Sequence, residues 1–370
     1  MRKRILIKAA LIMPNKNGFV PGIGRSNVEL INALISLDDP ELELSYYCVG
    51  LKSLKSLPYK WPIKYYPFPI LGKLKSYFDS WLEPVYRKFI VGYDLLHLTG
   101  NYDGIWSNEN FVLTIHDLIQ YGLYPNTRSR FRKSVKYAKA IFTCSEYTKK
   151  EIIREFGTQQ DKIHVIYWGI NHDLFYKRSD TQVNKVLLKY QIDTPYFFSC
   201  LGVDPTNRKN TDITMAAFRL FIKSHNNFSL VLTWSACPKY LIEEYSSEIK
   251  NGKIMILKGV SDEELACLYS GALASYFISS AEGFGFPILE SFACGTPCVT
   301  CRNTSLTEIG ADKAVFVKER NIYDTLASML QFAQNGKGDC TPLIEYAKTF
   351  KWDSTAKQYI EIYKRIFNQI

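Results

Sequence analysis

Two glutamates, Glu282 and Glu290, stand eight positions apart in the stretch EGFGFPILE, around two glycines, two phenylalanines and a proline. The stretch directly follows the strand-like LASYFIS. Pro287 suits the first turn of a helix, where its missing N–H costs nothing, and Gly283 and Gly285 let the backbone come close to a ligand. Unpaired N–H groups at a helix start attract anions. A phosphate there would be repelled by the two acids, so the carboxylates are better matched to the neutral hydroxyls of a sugar or ribose. A nucleotide diphosphate sugar meets both demands. The same residues also build an ordinary strand-turn-helix corner.

Helix-end electrostatics contribute about 0.3 to 1 kcal/mol at exposed sites, too little to hold a diphosphate, so cationic side chains are required. Arg208 and Lys209 are the candidates, in LGVDPTNRKN after the strand-like YFFSCLGV. Charge-assisted bonds to phosphate are the strong ones, and they stabilise a diphosphate as it leaves. Taken alone, the pair also reads as two solvated cations opening a helix. His116 closes FVLTIHD, with Asp117 placed to orient it. His97 in LLHLTG is a weaker candidate, and His164, His172 and His225 read as ordinary. In PNKNGFVPGIGRSN, after the first strand, Gly22 and Gly24 bring backbone to a helix expected to begin near Ser26, with Arg25 beside it.

These side chains need elements to hold them. Near-continuous apolar runs recur between helical patterns: RILIKAALI, ELSYYCVG, DLLHLTG, FVLTIHD, AIFTCS and KIHVIYWG, then YFFSCLGV, FSLVLTW, KIMILKG, LASYFIS and TPCVTC. Buried strands alternating with helices mean parallel sheets, hence two doubly wound α/β domains. Ligands of such sheets bind outside the carboxyl ends of the strands, which is where the candidates lie. Residues 1–178 are expected to form the first domain, 179–350 the second, and 351–370 a terminal helix packing back on the first. The polar stretch Tyr176 to Thr194 reads as the linker. Ser26 with Glu29, and Ser261 with Glu264, fit capping boxes. Trp352, Ala356, Tyr359, Ile360, Tyr363 and Phe367 share one helical stripe.

At 370 residues, 46% of them hydrophobic and 22% charged, the chain suits two globular domains. No apolar run approaches a membrane span. The start, MRKRILIKAALIMP, has the basic head of a signal peptide, but Lys8 interrupts the apolar stretch and no small-residue cleavage site follows, so a buried strand is the better reading. Nine cysteines without a regular framework fit reduced thiols in the cytoplasm. The sequons at Asn227 and Asn303 are accordingly expected to carry no glycan. The net charge of +10 is concentrated in residues 1–180, where 26 basic against 17 acidic residues give +9. Residues 52–93 interleave basic side chains with aromatics, and residues 128–139 carry six more cations with no acid between them. Such surfaces suit anionic lipid on the inner face of a plasma membrane; no nucleic-acid-binding motif accompanies them. Cys294, Cys298 and Cys301 flank a small-residue turn better than they bind zinc, and no Asp-x-Asp occurs, so no metal is expected.

The run EGFGFPILESFACGTPCVT, followed by NTSLTEIG and AVFV, resembles the donor-site signature of retaining family-four glycosyltransferases of the GT-B fold. PGIGRSNVELINAL, TIHDLIQYGLYP, CSEYTKKEIIREFG, VIYWGINHDLF, NRKNTDITMAAF and KGVSDEELACLY fall in family order, so the resemblance covers nearly the whole chain. It implies that Glu282 binds hydroxyls of the transferred sugar and Glu290 the ribose. Backbone N–H groups of Gly283, Phe284 and Gly285 would face the distal phosphate and sugar. It further implies His116 at the donor sugar, backbone contacts at Ser305 and Leu306 with Glu308 behind them, and the base held by backbone near Lys258 to Val260. Two positions depart from the pattern: Val203 where many relatives carry Arg, and Trp168 where relatives often have Asn.

The implied activity is metal-independent transfer of a hexose from a nucleotide sugar to a glycan or polyprenyl-linked acceptor, in an active site between the two domains. The forms TIHDL and SLTEIG look most like bacterial O-antigen and capsule mannosyl- or rhamnosyltransferases, with GDP-mannose as the first-choice donor. A non-catalytic subunit of a polysaccharide assembly and a nucleotide-sugar epimerase are the alternatives. A hydrolase using the two glutamates would need carboxyls about 5 Å apart, which a loop-to-helix placement does not supply.

Overall fold

The computed structural model describes residues 2–9, 22–49, 61, 63–66, 92–101, 110–119, 121, 125–202, 207–235 and 237–369. Most of the basic, aromatic segment 52–93 lies outside the described residues, as do Val203 and the first part of the glycine loop. The chain divides into two compact units, Met1–Gly169 together with Trp352–Ile370, and Ile170–Lys351.

The division falls at Gly169 and not at 178, because residues 170 to 178 are tied into the second unit. Ile170 N donates to Phe350 O at 3.1 Å, His172 Nε2 to the same carbonyl at 3.1 Å, and Arg178 N to Ser270 Oγ at 3.0 Å. Nor is the polar stretch that follows a linker. Ser179 and Gln182 form a capping box that starts the helix Asp180–Tyr190, and this helix buries Val183 and Val186. Its polarity belongs to a solvated helix face.

The first unit holds a sheet in the order β3-β2-β1-β4-β5-β6-β7. Its strands are β1 Lys3–Lys8, β2 Leu42–Val49, β3 Ile63–Tyr66, β4 Leu95–Leu98, β5 Phe111–Thr114, β6 Ile141–Thr143 and β7 Ile163–Val165. The second holds β10-β9-β8-β11-β12-β13, from β8 Tyr196–Gly202, β9 Ser229–Trp234, β10 Ile254–Leu257, β11 Ala274–Phe277, β12 Cys298–Cys301 and β13 Val315–Val317. Every ladder is parallel. In each sheet the order reverses once, between β1 and β4 and between β8 and β11. At such reversal points of a parallel sheet, ligands bind outside the carboxyl edge.

Strand composition follows from burial. β4, β5, β11 and β12 are buried at every position, as strands covered on both faces must be. The first helix spans Gly22–Leu37, so Ser26 lies inside it, its Oγ donating back to Ile23 O at 2.8 Å, and the expected capping box with Glu29 does not start the helix. Gly22 and Gly24 are therefore in the first turn of the helix and not in a loop before it. The other box forms: Ser261 and Glu264 cap the helix Asp262–Gly271.

The terminal helix Trp352–Phe367 packs on the helix Gly22–Leu37 and buries Trp352, Ala356, Tyr359, Ile360 and Tyr363. His97, in the middle of β4, is the polar centre of that packing. Its Nε2 meets Thr114 Oγ1 at 2.8 Å and its Nδ1 meets the Tyr363 hydroxyl at 2.6 Å, with Phe142 and Tyr359 around the ring. Both nitrogens are satisfied in the core, so His97 is a structural residue and the sequence-based candidacy for the site falls.

Burial, with the nearby His116, pushes the His97 pKa down from 6.5 to about 3. The unfolded chain therefore binds a proton that the native state refuses. The stability contribution is complete above pH 6.5 and declines as pH falls toward 3, by about 1.4 kcal/mol per pH unit. Chemical unfolding at pH 7.5, 6 and 5 should show that decline, and His97→Gln should flatten it by about one proton. An unchanged slope in the variant would contradict the assignment.

Candidate active site

The residues Asn207 to Asn210 make a tight turn after β8. Asn207 and Asn210 both take left-handed backbone angles, φ 54° and 47°, which asparagine tolerates better than most residues. Asn207 Oδ1 accepts the N–H groups of Thr211 at 2.8 Å and Asp212 at 3.4 Å, and so caps the helix Thr211–Phe221. Asn210, fully buried, donates from Nδ2 to Ile278 O at 3.0 Å and Ser280 Oγ at 2.8 Å, while Ser280 N donates to Arg208 O at 3.0 Å. The turn is thus fixed to the chain leaving β11, at the point where the strand order reverses.

This attachment brings the predicted charges together. Arg208 Nη1 donates to Glu282 Oε1 at 2.7 Å, to Ser279 Oγ at 3.2 Å and to the Ala281 carbonyl. Lys209 Nζ donates to Leu201 O at 2.6 Å and sits 5.4 Å from the centre of the Phe277 ring. Side-chain exposures of 29% for Arg208 and 16% for Glu282 leave the pair reachable but screened less than a surface ion pair.

The Glu282 loop is braced from behind. Ser305 Oγ lies 2.9 Å from Glu282 O and 2.8 Å from Phe284 O, so one hydroxyl spans both carbonyls. Phe284 is buried, its ring edge-on to Phe286 at 5.1 Å. Gly285, at φ 118°, precedes the helix Phe286–Ala293, whose start has no side-chain cap. A Cβ on Gly285 would come within 3.0 Å of Leu306 Cδ2. Ser305 and Leu306 therefore support the loop with their side chains. Glu308 follows them in the helix Leu306–Gly310, half-buried.

Glu290 is brought to the same helix but into the interior, at 2% exposure, where it accepts the Tyr269 hydroxyl at 3.2 Å. Lys258 and Val260 lie just past the end of β10 on either side of Gly259, at φ 66°, on the same carboxyl edge of this sheet.

In the first unit, His116 follows β5 and is buried against Trp168, ring centres 5.1 Å apart. Its Nε2 meets Thr99 O at 2.7 Å, so Nε2 carries the proton and Nδ1 the lone pair; Nδ1 has no partner among the described residues. Burial outweighs the Thr99 bond and pushes the pKa down to about 4, so the ring is neutral near pH 7. The Thr99 carbonyl orients it, and not Asp117, whose Oδ1 accepts Ile119 N at 3.0 Å. Arg25 is half-buried in the first helix, near its glycine start.

Cys294, Cys298 and Cys301 are buried, and burial raises their thiols above the ordinary range. The basic set at 128–139 forms the helix Pro125–Tyr137 and its exit, with Arg128, Arg132, Lys133, Lys136 and Lys139 exposed. Arg132 pairs with Glu155 at 2.5 Å, an acid from the next helix that local sequence does not reveal.

Sequence reasoning missed Asn207, Asn210 and Thr99. The signal for the first two was the N-x-x-N frame around Arg208 and Lys209, since paired asparagines suit left-handed turns. Thr99 acts through its carbonyl and left no signal. Gly285→Ala should destabilise the second unit by about 1 to 3 kcal/mol, from the positive φ and the contact with Leu306. Thermal unfolding reads this directly; an unchanged midpoint would show that the loop relaxes freely.

A Glycosyltransferase Family 4 domain matches residues 20–174, and a Glycosyl transferases group 1 domain matches residues 191–350. The O-antigen chain mannosyltransferase B of Escherichia coli is 28% identical over 377 residues, covering 93% of this chain and 96% of that one. The O-antigen chain mannosyltransferase RfbU of Salmonella typhimurium is 25% identical over 56% of this chain and 57% of its own. Among solved structures, sucrose-phosphate synthase from Thermosynechococcus elongatus superposes with a TM-score of 0.77 at 16% identity, covering 100% of both chains. WaaG, a glycosyltransferase involved in lipopolysaccharide biosynthesis, superposes at 0.73 and 14% identity, over 97% of this chain and 99% of that one. With both domain matches in order and the strand order of each sheet as described, the chain belongs to the family-four glycosyltransferases of the GT-B fold and resembles the O-antigen mannosyltransferases.

Proposed function

We propose that this glycosyltransferase moves a hexose, with retention of configuration, from GDP-mannose to a glycan or polyprenyl-linked acceptor of a surface polysaccharide. The observation that carries the reading is the Arg208–Lys209 turn fixed to Glu282 where the second sheet's strand order reverses. Two relatives named as O-antigen mannosyltransferases support the donor sugar, and Anabaena HepE, similar in fold, was solved with UDP and glucose.

In this reading Arg208, Lys209 and the start of the helix Phe286–Ala293 hold the diphosphate. Glu282, set in place by Arg208, accepts sugar hydroxyls. Glu290 takes the ribose, for which its bond to Tyr269 must yield or be shared. His116, being neutral, accepts a hydroxyl at Nδ1 and serves as neither cation nor general acid. Gly22 and Gly24 offer backbone at the start of the first helix to a phosphate or to the acceptor. The nucleotide base meets backbone at Lys258 and Val260, and Ser305 and Leu306 keep the loop in shape.

The acceptor oxygen bonds to the anomeric carbon on the face the diphosphate leaves. The carbon–oxygen bond to the diphosphate breaks, and a departing phosphate oxygen takes the acceptor proton. The cations stabilise charge as it develops on that oxygen. No metal is required in this account, since side chains and helix N–H groups meet the diphosphate charge.

Among the described residues no helix is long and apolar enough to cross a membrane. The exposed basic helix Pro125–Tyr137 supports peripheral attachment to the anionic inner face of the plasma membrane. Flotation with anionic vesicles at low salt should carry the protein upward; protein left at the bottom would remove this claim.

The test of the chemistry is release of nucleoside diphosphate from GDP-, UDP- and dTDP-sugars, with and without membrane lipid extract. Wild type should release GDP from GDP-mannose, insensitive to chelators, and Glu282→Ala or Lys209→Ala should lose on the order of a hundredfold in rate. Undiminished turnover in Lys209→Ala would overturn the cation assignment. No release from any donor, even with lipid extract, would favour a non-catalytic protein.

A further inference from the structure

We infer that Arg320, at the exit of β13, is a positioning residue that holds the Arg208–Lys209 turn in its active geometry; the inference rests on the transferase reading above. Arg320 takes a left-handed conformation, φ 54°, and reaches back across the carboxyl edge. Its Nη1 donates to Asn210 Oδ1 at 2.9 Å and its Nη2 pairs with Asp212 Oδ2 at 3.1 Å. The neighbouring Glu319 reaches back too: its Oε2 accepts Asn303 Nδ2 at 2.9 Å, and the same nitrogen lies 3.1 Å from Ser279 O. Two adjacent residues after β13 thus act through two asparagines on three consecutive residues, 278 to 280, that leave β11.

The chemistry of the Asn210 amide gives Arg320 its role. A side-chain amide has a donating and an accepting end that are nearly the same size, so its orientation is set by its partners. A guanidinium only donates and the Ile278 carbonyl only accepts, so Arg320 at Oδ1 reinforces the orientation in which Nδ2 faces Ile278 O and Ser280 Oγ. Without it, the buried Oδ1 is left unpaired, a cost that falls on the orientation tying the turn to Ile278 and Ser280. The turn carrying both cations then loses its fixed attachment to the chain beside Glu282. The ion pair to Asp212 matters less: the Arg320 side chain is 57% exposed, and exposed pairs contribute little to stability.

The experiment compares wild type with Arg320→Ala, Arg320→Lys and Asp212→Asn, reading amide hydrogen exchange at Ser280 and Thr211 together with nucleoside diphosphate release. Arg320→Ala should speed exchange at both amides and lower release on the order of ten- to a hundredfold, as small misplacements of catalytic groups do. Arg320→Lys should restore part of it, an ammonium being unable to fork to Asn210 and Asp212 together. Asp212→Asn should stay within about twofold of wild type. In the Lys209→Ala background, most of the Arg320→Ala loss should vanish, because both act on one turn. Unchanged exchange in Arg320→Ala, or losses that simply multiply, would overturn the inference. Faster exchange with no donor turned over by wild type would uphold the clamp and count against the transferase reading itself.

Discussion

A parallel ladder can form only if each connection crosses back over a face of the sheet, and both sheets here are built wholly of such ladders. All strands of a sheet then end at one edge, with the crossover helices starting there. Where successive crossovers diverge to opposite faces, the edge opens. In the second unit that opening lies between β8 and β11, and the chains leaving those two strands carry Arg208, Lys209 and Glu282. Strand direction thus decides which residues, some 70 positions apart, come within hydrogen-bonding distance.

Polar groups at this edge are ordered by a few rigid attachments. Asn210 fixes the cationic turn to the exit of β11, Ser305 fixes the Glu282 loop, and Gly285 supplies the backbone turn that starts the next helix. The Arg208 guanidinium meets Glu282, which offsets the cost of holding a partly buried carboxylate. His116 works differently. Burial strips its charge and the Thr99 carbonyl fixes its tautomer, so what it offers is an acceptor.

Much of this was legible in the sequence because parallel strands, buried on both faces, are continuous apolar runs. Each run named from the sequence overlaps one strand. β3 was hidden because it sits at a sheet edge within the basic, aromatic segment, and β13 because its apolar run AVFV is only four residues between Lys313 and Lys318, whereas the equally short β6 and β7 lie in longer runs. Ser26 was misplaced because a serine followed three positions later by a glutamate reads as a box whether or not glycines have already started the helix. The supposed linker was a capped helix with a narrow buried stripe. The site was legible to the extent that its residues follow strands. Side-chain partners were not: nothing local tells that His97 bridges Thr114 and Tyr363, that Glu290 meets Tyr269, or that Arg320 reaches Asn210 from 110 positions away.

The central claim is that the carboxyl edge at β8 and β11 is the diphosphate site. A crystal structure of the protein with GDP bound tests it most directly. The account predicts the diphosphate within hydrogen-bonding distance of Arg208 and Lys209, at the start of the helix Phe286–Ala293. A diphosphate bound elsewhere, with Arg208 and Lys209 making no contact to it, would contradict the account.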